Sequence, residues 1–280
     1  MKQVHCDEIT KAVKQMVVDI NFVLPRDVMH SLEDNYAKEK WVLAKETLET
    51  IIENAKLAEE KSIPMCQDTG MVVVFVTMGQ EVHIEGGYIE DAINEGIRQG
   101  YEEGYLRKSV VKDPLQRENT KDNTPGVINY QIVPGDTLEI MVAAKGFGSE
   151  NMSRQKMLRP ADGVDGVIDF VVEAARLAGP NACPPIVMGV GIGGTFDRSG
   201  LLAKKALMRS LESYHPDPFY KELEMELERR VNELGIGPQG FGGRTTCLRV
   251  LIETYPTHIA GLPVAVNINC HATRHETTIF

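Results

Sequence analysis

Three of the five cysteines occupy short polar or proline-bearing loops at the edges of apolar strands: Cys66 in "PMCQDTG", Cys183 in "NACPPI" and Cys270 in "NINCHAT". A thiolate in such a setting suits ligation better than packing. No C-x-x-C pair is present, so the pattern is a poor match to structural zinc, which closes four ligands and usually draws them in close pairs. Three separate thiolates fit an iron–sulfur cubane that leaves its fourth iron open. An open iron is a Lewis acid able to hold a hydroxyl and a carboxylate. Cys247, inside "TTCLRVLI", reads instead as a small buried apolar residue, and Cys6 as a bystander on a frayed first helix. His271 and His275, spaced as on one helix face, are an alternative pair of zinc ligands.

A second motif competes with the cysteines. In "GVGIGGT", Gly189, Gly191 and Gly194 match G-x-G-x-x-G between a strand and a helix, the arrangement of a dinucleotide site. Such a site also needs a following strand with an acidic residue about 20 positions on. Here the chain continues into "SLESYHPDPFYKELEMELERR", another charged helical stretch, and Glu212 stands at about that separation but on no strand. A plain strand-to-helix turn accounts better for the glycines.

These residues need elements to position them. The N-terminal third has helical periodicity, with Asp27 placed to cap "DVMHSLEDNYAKEKWVLAKETLETIIENAKLAEEKS", and a strand is expected at about 71–77. A helix over roughly 88–105 carries Ala92, Gly96, Gly100 and Gly104 every fourth residue, a smooth stripe suited to close packing of another backbone. The polar stretch 107–129 is too long and too charged for an idle connection. Beyond it, "QIVPGDTLEIMVAAKG" alternates like a hairpin, a helix ends at Gly179 and Pro180, and a buried strand leads into the glycine turn. Helices follow at about 198–212 and 217–234, and the tail supplies two strands broken at Pro256. The expected fold class is α+β, a mixed α/β single domain spanning 1–280, two-lobed at most, with a helical N-terminal part and mixed sheets flanked by helices.

Bulk properties exclude several classes of function. The 280 residues suffice for a sizeable core, and no apolar run approaches the ~18 residues that would span a membrane. The first residues lack the form of a signal peptide, and unpaired cysteines suit a reducing compartment, so a cytoplasmic location is expected. A net charge of −10 without a basic stripe argues against nucleic-acid binding. An anionic substrate would therefore need local cations.

Five ordered segments, "MCQDTG", "RENTKDNTPG", "KGFGSEN", "NACPPIVMGVGIGGT" and "NINCHATRH", together resemble the class I, iron–sulfur-dependent fumarate hydratases, whose α subunit has a relative in L-tartrate dehydratase. The resemblance runs from the first helix to about residue 275. By position it implies that Cys66, Cys183 and Cys270 hold a 4Fe-4S cluster whose open iron receives the substrate's carboxylate and hydroxyl. It implies Gln67 and Asp68 as substrate contacts, Arg107 as a carboxylate clamp, Gly146 as a backbone donor and His258 as an active-site histidine, with Asp68 and His258 in the catalytic set. We assign Asp68 to orienting the substrate rather than to acting as base. The alternative for Asp68 is an Asx turn closing its own loop.

Single-chain members of that family continue into a second domain that supplies further arginines, a lysine and the threonine proposed as base, whereas this sequence stops at Phe280. The resemblance therefore implies an α subunit completed by a separate β subunit, homodimeric through its own surface and heterotetrameric with β. The activity expected is a hydro-lyase of the tricarboxylic acid cycle, reversibly hydrating fumarate to (S)-malate. An L-tartrate dehydratase α subunit is the nearest rival, a nicotinamide oxidoreductase a more distant one, and a cluster-bearing sensor without turnover the non-enzymatic one.

Overall fold

The computed structural model describes residues 2–280. Its elements, in chain order, begin with β1 (Lys2–His5), α1 (Cys6–Phe22), α2 (Arg26–Lys38), α3 (Val42–Lys61), β2 (Met71–Gly79), β3 (Val82–Glu85), α4 (Ile89–Glu103), β4 (Val127–Val133) and β5 (Leu138–Lys145). They continue with α5 (Phe147–Glu150), β6 (Arg154–Leu158), α6 (Gly163–Ala178), β7 (Ile186–Gly193), α7 (Phe196–Ala206), α8 (Pro218–Asn232), β8 (Cys247–Tyr255), β9 (Leu262–Asn269) and β10 (His275–Ile279). The fold is mixed α/β, as the sequence implies. Two compact units form: one from the chain up to Pro25 with Asn54–Phe147 and Arg274–Phe280, the other from Arg26–Glu53 with Gly148–Thr273. No helix among the described residues is long and apolar enough to cross a membrane.

In the first unit, four strands order as β10-β5-β2-β4, while β1 and β3 pair in parallel. Strands β4 and β5 are not a hairpin, despite their alternating sequence and short connection. Strand β2 lies between them, parallel to β4 and antiparallel to β5. Alternation reports which face a residue occupies and not which strand is its neighbour. The β2–α4–β4 path is a parallel crossover, which needs an intervening helix. Helix α1 buries Ile9, Val13, Met16, Val17 and Ile20 along one stripe, each worth about 1.5–3 kcal/mol when fully buried. The glycine stripe of α4 packs on that face. A Cβ at Gly96 would stand 2.7 Å from the Thr10 carbonyl, and one at Gly100 would stand 2.9 Å from Val17.

The start of α1 is not frayed. The His5 ring accepts the Asp7 N–H and the Glu8 carboxylate accepts the His5 N–H, so both ends of a capping box are made. Cys6 is accordingly buried, and burial raises its thiol pKa.

In the second unit the strand order is β6-β9-β7-β8, with β7 parallel to β8 and antiparallel to β9. All of β7 is buried. Helix α7 lies so close to it that a Cβ at Gly189 or Gly191 would stand 2.1 Å from the carbonyl of Ala203 or Ser199. The glycines thus admit a helix backbone, and the chain after α7 passes Glu212 in a loop on its way to α8. The long helical stretch after Pro25 breaks at Glu39, whose carboxylate accepts the N–H groups of Lys40, Trp41 and Arg244. Asp27, expected as a cap, stands in the first turn of α2: its Oδ1 accepts the Val28 N–H, and its Oδ2 accepts from the Ser210 hydroxyl and the Leu211 N–H, so it has a tertiary role as well.

Candidate functional site

In the first unit, Met65–Gly70 connects the end of α3 to β2, with Cys66 and Gln67 exposed. Asp68 is fixed from two sides. Its Oδ1 accepts the Gly70 N–H at 2.9 Å, closing the Asx turn, and its Oδ2 accepts the Phe147 N–H at 2.8 Å. Gly146 is pressed against the same carboxylate: a Cβ there would stand 3.3 Å from Oδ2. Gly70 has φ +79°, a backbone that only glycine adopts without strain, and its Cα faces the backbone of Ala144 and Lys145. The turn and the β5 terminus therefore shape one small polar surface.

Behind that surface lies a layer that the sequence reading did not single out. The carbonyl of Asp68 accepts from Nη2 of Arg274 at 2.5 Å. The Thr69 carbonyl accepts the Tyr101 hydroxyl at 2.6 Å, and the Gly70 carbonyl accepts from the same hydroxyl at 3.0 Å and from Nδ2 of Asn123 at 3.2 Å. Tyr101 and Asn123 are 0 % exposed and Arg274 is 3 % exposed. Burial drives the Tyr101 phenol pKa upward, partly opposed by the charge of Arg274, so the phenol remains a donor. The nearest sequence signal was Arg274 itself, inside the "NINCHATRH" segment, while Tyr101 looks like any apolar position of α4.

The polar stretch after α4 is ordered by its own side chains. The Asn123 side-chain carbonyl accepts the N–H groups of Ser109 and Val110, and Asp113 accepts those of Leu115 and Gln116, which holds the Asp113 carboxyl below its usual range. The Thr69 hydroxyl donates to the Arg107 carbonyl at 2.9 Å and so ties the start of this loop to the cysteine turn. The Arg107 guanidinium is exposed and makes no ion pair among the described residues.

In the second unit, Cys183 lies just before β7 and Cys270 just after β9, at the same end of the sheet, because β9 runs antiparallel to β7 and pairs Asn269 with Val187. The His271 N–H donates to the Cys183 carbonyl at 3.3 Å, joining the two loops. Cys183 has φ +52°, uncommon for a residue with a side chain. Gln239 Nε2 lies 2.9 Å from the Pro184 carbonyl and 3.2 Å from the His271 ring. The segment from His271 to Arg274 is not helical and β10 starts at His275, so the two histidines do not share a helix face.

The structure does not bring His258 to Cys183 and Cys270 within the unit. It follows β8, which runs parallel to β7, and so lies at the other end of the sheet. The 8 residues of β7 separate the two ends by roughly 25 Å at ~3.3 Å per residue. The residue is exposed, and its Nδ1 accepts the Ala260 N–H.

The five cysteines divide by environment. Cys247 is 2 % exposed and Cys6 is buried, and burial pushes the Cys247 thiol well above its ordinary pKa, so it stays protonated. Cys66 and Cys183 are exposed and Cys270 is half-buried, all at loop positions where a thiolate can meet a metal. Within neither unit do three His, Cys, Asp or Glu side chains converge to hold an ion among the described residues. The first unit holds one loop cysteine, Cys66, and the second holds two, Cys183 and Cys270.

A family model described as "Fumarate hydratase (Fumerase)" matches residues 10–279. A protein named "Putative L(+)-tartrate dehydratase subunit alpha" from Methanocaldococcus jannaschii is 44% identical over 273 residues, covering 95% of each chain. Proteins named "L(+)-tartrate dehydratase subunit alpha" from Escherichia coli strains UTI89 and K12 are 34% and 33% identical; the first alignment covers 99% of this chain and 92% of the relative, as does the second.

Proposed function

The chain belongs to the fumarate hydratase (Fumerase) family, and from that premise we propose that it is the α subunit of a hydro-lyase acting on a four-carbon dicarboxylate, with a β subunit completing the site. The first reading is the reversible hydration of fumarate to (S)-malate, which the family description favours. A second is L-tartrate dehydration, supported by the names of the relatives. Written as dehydrations, both reactions break a C–O bond beside a carboxylate and take the proton from the neighbouring carbon, so one clamp and one Lewis acid serve either.

The donor set suits a 4Fe-4S cluster. Cys66, Cys183 and Cys270 would hold it, being the three cysteines that stand in loops, two of them exposed and one half-buried. When bound, its open iron supplies Lewis-acid polarisation of the substrate hydroxyl. The remaining work falls to protein groups. Loss of the proton puts negative charge on a carboxylate, and an exposed guanidinium without an acidic partner, Arg107, offers a planar two-pronged donor for it. Gln67, exposed next to Cys66, would offer its side-chain amide to the substrate. The Asp68 carboxylate, whose oxygens are each anchored by a backbone N–H, retains lone pairs to orient a substrate hydroxyl without swinging. Gly146, set against that carboxylate, would serve the substrate through its backbone N–H.

His258 belongs to this reaction only if a second copy of the chain supplies it, since its own sheet holds it far from Cys183 and Cys270. That condition agrees with the expected homodimer. The observation that carries the reading is the family match over residues 10–279 together with the exposure of the three matching cysteines.

The test is anaerobic reconstitution of the αβ complex, with iron and acid-labile sulfide measured and turnover assayed on fumarate, (S)-malate and L-tartrate. About four irons and four sulfides per α chain, with turnover of at least one acid, is the expected result. Absence of iron after reconstitution would overturn the reading. Turnover of tartrate alone would leave the class intact and move the substrate to the second reading.

A further inference from the structure

We infer that Tyr101 and Arg274 are positioning residues for the reaction, holding the carbonyl face of Asp68–Gly70 so that the side chains of Gln67 and Asp68 stay aimed at the substrate. The inference rests on the hydro-lyase reading above. Three consecutive carbonyls, of Asp68, Thr69 and Gly70, each accept from a buried side chain that is distant in sequence. A connection between a helix and a strand ordinarily leaves such carbonyls to water. Here a phenol, an amide and a guanidinium have been withdrawn from water to meet them, and the arginine is the least economical of the three.

Arg274 shows why packing is an insufficient account. Its Nε and Nη1 are buried and have no hydrogen-bond partner, so the guanidinium satisfies little of its donor capacity there. An apolar residue would fill that volume at lower cost. What the arginine supplies is a rigid charged donor to the Asp68 carbonyl, made while the Asp68 carboxylate is gripped from the other side by Gly70 and Phe147. Main chain and side chain of one residue are thereby both immobilised. The Tyr101 hydroxyl does the same for the next two peptides, and Thr69 carries the restraint on to the Arg107 backbone. Orientation of this kind affects rate steeply, since a misplacement near 1 Å can cost about 100-fold.

The experiment compares wild type, Tyr101→Phe and Arg274→Lys in the reconstituted αβ complex. Tyr101→Phe removes one oxygen and keeps the ring, so the fold should persist; Arg274→Lys keeps the charge and loses the fork. Iron and sulfide content, kcat and KM are measured, with hydrogen exchange of a peptide covering residues 66–70. Both variants are expected to keep the cluster and to raise exchange in that peptide. KM should rise about tenfold and kcat should fall in both. If the wild type turns over and both variants keep its KM and its exchange pattern, the inference is overturned while the hydro-lyase reading stands. If the variants lose iron and melting temperature in step with activity, the layer is structural and the inference is again overturned. A wild-type complex that holds no cluster and turns over none of the three acids would remove the hydro-lyase reading instead, and this inference with it.

Discussion

The main-chain N–H of His271 donates to the carbonyl of Cys183, 3.3 Å away, so the loop that begins at Cys270 is fastened to the loop that carries the other loop cysteine of its unit, Cys183. Two residues 87 positions apart in sequence are thereby presented from one end of one sheet. Strand direction alone brings them there.

This arrangement predicts a contrast among cysteine variants. Cys183→Ser and Cys270→Ser, like Cys66→Ser, should lose iron and sulfide while unfolding at nearly the wild-type temperature. Cys247→Ser should keep its iron and lose about 1–3 kcal/mol, because a hydroxyl replaces a buried thiol. Metal analysis beside thermal melts separates the two classes, and iron retained in Cys183→Ser would remove that residue from the ligand set.

Asp68→Asn probes the doubly held carboxylate. An amide can accept from only one of the Gly70 and Phe147 N–H groups and must turn its NH2 toward the other. We expect kcat/KM to fall by about 100-fold or more, with cluster content unchanged. Steady-state kinetics on metal-quantified protein tests this, and a loss under threefold would count against a substrate role.

Gly191→Ala tests the reading of the glycine turn. The added methyl would stand 2.1 Å from the Ser199 carbonyl, so α7 must move away from β7. Destabilisation of about 1–3 kcal/mol is expected from overpacking, measured by urea unfolding. NADH titration of the wild type should show no binding, whereas saturable binding lost in Gly191→Ala would revive the dinucleotide alternative.

Glu39 gives a pH dependence with a definite sign. Burial alone would raise its pKa, but the N–H groups of Trp41, Arg244 and Lys40 hold it below its ordinary 4.5. Its contribution is therefore fully present above about pH 4.5 and is lost as pH falls through the lower folded value. Glu39→Gln should cost ~1.5–3 kcal/mol near neutrality, and the gap from wild type should close in acid. Urea unfolding at about pH 7 and at a pH below 4 checks it, and a gap that widens in acid would contradict the assignment.

The sequence alone determined the composition of the chemistry. Loop context separated Cys66, Cys183 and Cys270 from Cys247, and periodicity marked α4, α6 and the buried strand β7, because residue type and spacing are local quantities. Tertiary structure decided neighbours and partners. It placed β2 between β4 and β5, closed the start of α1 with His5 and Glu8, sent Asp27 to Ser210, and carried His258 to the far end of its sheet. It also built the Tyr101–Asn123–Arg274 layer, which no spacing rule announces. Strand order, buried donors and the two ends of a sheet depend on contacts between residues far apart in the chain, and local propensity does not encode them.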